Sequence, residues 1–254
     1  MKKLIAILFL IACLGFVPAD NVTVRFALPS GYTRLADQQG SFGYYLQHLP
    51  LKPAGTKTKT YNGNIAHTNA YTAAVVNMSV GKQDLQQCAD AVMRLRAEYL
   101  YQQKRYDQIA FNFTSGFRCD YLHYAKGYRY SKEKWVKLAG ENYTYPGFLN
   151  YLNLVFSYAG TLSLEKELTK VEKLSDLRTG DVFIHGGSPG HCFIVMDVAE
   201  NAAHQKQFLL AQSFMPAQDI QVLKQDGSAW FSLLQPAKIP YGDLIDIKYL
   251  RRFK

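Results

Sequence analysis

The chain is 254 residues long, 48% hydrophobic, and carries a formal charge of +9. That length and apolar content are enough to bury a sizeable core and argue against an intrinsically disordered chain. The positive balance favours anionic polymers as partners, but no basic run and no nucleic-acid-binding motif is present, so DNA or RNA is not expected.

The first predicted element is a targeting segment. Lys2 and Lys3 precede an apolar run, Leu4 to Val17, that is short for a bilayer span, and Val17-Pro18-Ala19 offers a small-residue cleavage site. Leu10-Ile11-Ala12-Cys13 also fits a bacterial lipobox, which would put a lipid on Cys13 and make that lipid the only membrane contact. Both readings export the chain; under ordinary cleavage residues 1–19 form the leader, and the chain is expected in the periplasm or at the outer membrane. Peptidoglycan or another anionic envelope polymer is then the expected partner.

Asn21 to Leu28 alternates like a strand, and Ser41 to Leu46 reads as a short helix that ends before Pro50. Residues 51–70 are polar and predict a loop or hairpin, followed by a strand over Tyr71–Val80. Asp84 to Gln103 is the strongest predicted helix. Asp84 and Gln87 fit a capping box, and Leu85, Cys88, Ala89, Val92, Leu95, Tyr99 and Leu100 recur at helical spacing, with Arg94, Arg96 and Glu98 at polar positions. A strand is expected over Ile109–Phe113. Residues 117–147 give no clear assignment. Most of the 18 tyrosines fall between Tyr99 and Tyr158, where they could form a sugar-stacking platform or simply core and rim. Helices are expected over Phe148–Tyr158 and Ser163–Leu168.

From Leu177 the pattern turns to strands: Asp181–Ile184, His191–Val198, Gln207–Ser213 and Ile220–Leu223, with edges at Trp230–Leu234 and Leu244–Tyr249. Helices first and an antiparallel sheet after them give an α+β class. Residues 20–254 are read as one domain with an elaborated insertion over residues 104–176.

Once the leader is removed, Cys88, Cys119 and Cys192 remain. An odd number in an oxidising compartment leaves at least one unpaired within the monomer, and Cys88 is the candidate. At the head of a helix, the dipole and free N–H groups would favour its thiolate. Gln83 or Gln87 could supply an oxyanion donor beside the Cys88 N–H. His191 opens an apolar strand and could act as base, with Gln212 in the next strand orienting it; Asp197 is the alternative orienting group. Packing competes at each position. Cys88 also falls on the apolar face, His191 also fits a turn histidine, and Gln212 also fits a cross-strand hydrogen bond. No cofactor or metal is expected, because His185 and His191 lack a third ligand at zinc spacing. Ser188 sits in S-P-G, which is not a nucleophile elbow.

Three runs carry a resemblance: Leu85 to Leu100 (L-Q-Q-C-A-D-A-V-M-R-L-R-A-E-Y-L), Pro189-Gly190-His191, and Ala211 to Ile220 (A-Q-S-F-M-P-A-Q-D-I). They resemble the exported bacterial family known only as a domain of unknown function, DUF4846, which brings no activity with it. Gln87-Cys88 opening a helix, followed by Gly180-Asp181-Val182 and Gly190-His191, is similar to CHAP amidases and NlpC-type peptidases. That resemblance implies a papain-like fold with Cys88 as nucleophile, His191 as base and Gln212 as orienting residue. The expected function is an exported thiol hydrolase acting on an amide bond of the cell wall, with residues 104–176 building the substrate cleft. A non-catalytic domain binding envelope glycan or protein, and a thiol acyltransferase, are the alternatives.

Overall fold

A computed structural model describes residues 20–254; the expected leader and the lipobox reading at Cys13 fall outside the described residues. The helices are α1 (Val22–Arg25), α2 (Phe42–Gln47), α3 (Cys88–Gln102), α4 (Tyr121–Ala125), α5 (Tyr145–Tyr158) and α6 (Thr161–Glu167). The strands are β1 (Tyr32–Arg34), β2 (Thr72–Val75), β3 (Ala110–Asn112), β4 (Arg118–Asp120), β5 (Tyr128–Ser131), β6 (Lys134–Lys137), β7 (Thr169–Lys170), β8 (Val182–His185), β9 (His191–Asn201), β10 (Lys206–Gln212), β11 (Gln221–Leu223), β12 (Trp230–Phe231) and β13 (Leu250–Arg252). Among the described residues, the main sheet runs β2-β11-β10-β9-β8-β13-β7, with β1 added to β9 and β12 to β10. All these pairings are antiparallel. The class is α+β, as the sequence implies. No described helix is long and apolar enough to cross a membrane.

Both faces of the sheet are buried, which is why β9 and β10 read as nearly continuous apolar runs. On one face α3 covers Cys192, Ile194, Met196, Leu209 and Ala211. On the other, Phe183, Phe193, Val195, Phe208 and Leu210 pack under the C-terminal segment through Ile239, Leu244 and Leu250. Alternation along β9 therefore sends Cys192 toward α3 and Phe193 away from it. Apolar burial of roughly 1.5–3 kcal/mol per large side chain on each face makes this register hard to shift. At the start of β9, a Cβ on Gly190 would collide with Thr161 Oγ1 and the Gly187 carbonyl, so glycine permits the close approach of α6.

Several local expectations are corrected. Asn21–Leu28 holds a helical turn rather than a strand, because the Asn21 side chain caps it by accepting from Val24 N at 3.0 Å. The strongest helix begins at Cys88, not at Asp84. Gln87 is its N-cap, and the Gln87 N–H donates to Asp90 Oδ2 at 3.0 Å. Asp84 is occupied elsewhere, accepting from Ala217 N at 2.6 Å and from Gln87 Nε2 at 3.1 Å. Leu244–Tyr249 is two 3-10 turns, and the edge strand follows at β13. The unassigned stretch after residue 117 contains β4, α4 and a β5–β6 ribbon.

Candidate functional site

The structure brings together two of the predicted catalytic residues. His191 Nε2 lies 2.7 Å from Gln212 Oε1 and donates to it, which leaves Nδ1 as a buried acceptor with no partner. The imidazole is fully buried, stacked on Tyr241 at 4.7 Å between ring centroids and packed edge-on against Phe193 at 4.7 Å. Burial pulls its pKa down to about 4 against the favourable bond to Gln212, so the ring is neutral across ordinary pH.

Cys88 is placed differently. It is the first residue of α3, so its N–H has no carbonyl one turn back to bond. Its side chain is 5% exposed and belongs to the α3-side cluster that also holds Cys192, whereas His191 shares the opposite face with Phe193. No hydrogen bond joins Cys88 to His191 among the described residues. Burial, and after it the Asp90 carboxyl, push the Cys88 thiol up to about 12, so the helix dipole does not produce a thiolate near neutral pH. Cys119 and Cys192 are likewise free and buried.

The remaining sequence candidates are accounted for by other contacts. Gln83 is exposed, and Gln87 spends its side-chain N–H on Asp84. Gln86 is the glutamine that is buried, with Nε2 lacking a partner. Asp197 accepts from Arg34 at 2.7 Å and Gln47 at 2.8 Å and does not orient His191. His185 and Ser188 are exposed.

A cleft of about 800 Å³ lies elsewhere, between α2, the 77–81 loop, α3 and α5. Residues 94, 98 and 102 fall on one stripe of α3 by helical spacing and form its floor. Arg94 Nε donates to Glu98 Oε1 at 2.7 Å, and Tyr145 Oη donates to the same oxygen at 2.7 Å. Arg94 also donates to Gln86 Oε1 at 3.3 Å and to Tyr145 Oη at 3.2 Å. Both charged side chains are almost wholly buried, at 8% and 4% exposure, so the pair is mutually neutralised rather than free to attract ions. The Tyr45 hydroxyl is buried without a partner; burial and the nearby Glu98 raise its pKa, and it keeps its proton. Tyr44 and His48 stack at 3.9 Å on one wall, and Leu149 and Phe156 of α5 line the other. Arg94 and Glu98 are the only formally charged lining residues; the rest are aromatic, apolar or uncharged polar groups such as Gln39, Asn77, Gln102 and Asn153. In sequence the i, i+4 pair was visible. Its third member, Tyr145, lies just outside the helix expected from Phe148, and so the cluster was missed.

An antiparallel sheet backed by a buried helix, with an aromatic cleft on the far side of that helix, defines an α+β protein with a small-molecule-sized recess. The chain belongs to the DUF4846 family, whose model, a domain of unknown function, matches residues 22–243. No curated protein and no solved structure matches it.

Proposed function

We propose that the chain is a binding domain that holds the uncharged, hydroxyl- and amide-rich part of an envelope glycan or glycopeptide in the α2–α3–α5 cleft, with any carboxylates of that ligand left outside it. The observation that supports this most is the composition of the recess. Aromatic faces suit the apolar faces of sugar rings, uncharged amides suit hydroxyls, and the one buried ion pair is internally balanced. The export and envelope parts of the reading come from the leader and stand as part of the proposal. Calorimetric titration with purified muropeptides tests it. Tyr44→Ala removes one stacking wall and should weaken binding by roughly two- to tenfold, since a lost stacking partner is worth roughly 0.5–1.5 kcal/mol. Unchanged affinity in Tyr44→Ala would reject the cleft as the site.

A second reading, a papain-like thiol hydrolase or acyltransferase of CHAP/NlpC type, is favoured by one specific arrangement. Gln212 holds Nε2 of His191 and leaves Nδ1 open, and Cys88 is the first residue of α3, where the helix supplies no acceptor for its N–H. In that reading Cys88 attacks an amide carbonyl, His191 takes and returns the proton, and water or an amine receives the acyl group. It requires the thiol and the imidazole to leave opposite faces of the sheet and meet. Iodoacetamide at pH 6 discriminates: faster alkylation of Cys88 than of Cys119 and Cys192, lost in His191→Ala, would favour the hydrolase.

A further inference from the structure

A second recess, of about 330 Å³, lies on another side of α3, against the β3–β4 ribbon and the end of α6. Its character is opposite to that of the cleft. Three cations of α3, β4 and α6, Arg96, Arg118 and Lys166, line it together with Gln108, Asn112 and Lys254, and Glu167 is its one acidic side chain. None of the three cations forms an ion pair among the described residues. Arg96 is held in place by aromatic rings: its guanidinium lies 5.1 Å from the ring of Phe42, 5.5 Å from Tyr99 and 5.3 Å from Phe253, and it donates to the backbone O of Lys254 at 3.3 Å. Such a guanidinium is rigid and partly desolvated, so less freedom is lost when an anion binds. Arg118 is fixed opposite Asn112 by strand register.

We propose that this recess binds a phosphoryl group carried on a small soluble molecule of sugar size. Two guanidinium groups, an ammonium and two side-chain amides offer more donors than the two oxygens of a carboxylate can accept, whereas the terminal oxygens of a phosphate can use them. The recess is larger than a bare phosphate needs, which leaves room for the carrier. Glu167 does not cancel the cations. It accepts from Asn112 N at 2.8 Å, and burial holds its pKa up to about 7, so it is only partly ionised at neutral pH. The proposal is independent of the ligand in the cleft.

The test is calorimetric titration of the full chain with glucose 6-phosphate, inorganic phosphate and phosphatidic acid vesicles. Glucose 6-phosphate should bind. The double variant Arg118→Ala/Lys166→Ala should lose at least about tenfold in affinity, since two charge-assisted contacts go. Glu167→Gln keeps the acceptor for Asn112 and should tighten binding. Far-UV circular dichroism and thermal midpoints matching wild type show that the variants fold. Equal affinity in the double variant, weaker binding in Glu167→Gln, or binding of vesicles without binding of the sugar phosphate would each overturn the proposal.

Discussion

Arg94 and His191 lie on opposite sides of the central sheet, and each is fixed by one glutamine and a set of aromatic rings. Gln86 and Tyr145 hold Arg94, and Gln212 and Tyr241 hold His191. The two clusters differ in access and in balance. The Arg94 cluster forms the floor of an 800 Å³ cleft and pairs its charge with Glu98. The His191 cluster is sealed, neutral, and leaves one ring nitrogen unused. A buried ion pair is weak support for stability, since well-packed apolar groups often do as well; its presence under an open cleft therefore points to use. A neutral histidine fixed by an amide inside an apolar layer is what packing alone produces.

That contrast can be broken first at Glu98. Glu98→Leu leaves the Arg94 charge buried without its carboxylate and should destabilise the fold by about 3–5 kcal/mol in urea denaturation. The double variant Arg94→Met/Glu98→Leu should recover most of that loss yet still fail to bind muropeptide. A double variant that binds as well as wild type would reduce the pair to a structural feature.

Gln212→Leu is the matching change in the sealed cluster. It leaves the His191 Nε2–H without an acceptor and should cost about 1–3 kcal/mol, with no change in ligand affinity. Lost affinity at unchanged fold would tie the His191 cluster to function after all.

A smaller effect separates the start of α3 from its cleft-lining stripe through pH. Asp90 is almost wholly buried, and burial raises its carboxyl from 3.8 to about 8. The folded state therefore favours the protonated form. Its contribution is full below about pH 4 and is lost as pH rises toward about 8. Asp90→Asn does not ionise, so it should gain thermal stability relative to wild type across that window and level off above it. His191, with a folded pKa near 4 below its usual 6.5, drives stability upward between those values, but it does so in both proteins and cancels in the difference. A difference that is flat with pH would mean that Asp90 is not held protonated. The smallest expected change is the stability of Tyr44→Ala itself, within about 0.5 kcal/mol, because the ring is only half-buried and its loss is felt by the ligand.

Most of the C-terminal sheet was legible because strands buried on both faces leave unbroken apolar runs, as in β9 and β10. The helical content near α3 was legible from its 3.6-residue stripe. Its start was not: Asp84 and Gln87 have the residue types of a capping box, but Asp84 is drawn to the Ala217 backbone, a contact made 133 positions away. The His191–Gln212 pair was legible from adjacent strands. The placement of Cys88 relative to it was not, because alternation fixes which side of a strand a residue takes but not which side a helix will cover. The cleft was hidden for the same reason, as its walls come from α2, α3 and α5 and meet only in the folded chain.

The most direct test is mass spectrometry of muropeptides incubated with wild-type protein and with Cys88→Ala, both first shown to bind by titration. The binding account predicts that both proteins return the fragments intact and bind them with equal affinity. New amine or carboxyl ends with wild type that are absent with Cys88→Ala would contradict it and make the cysteine the working residue.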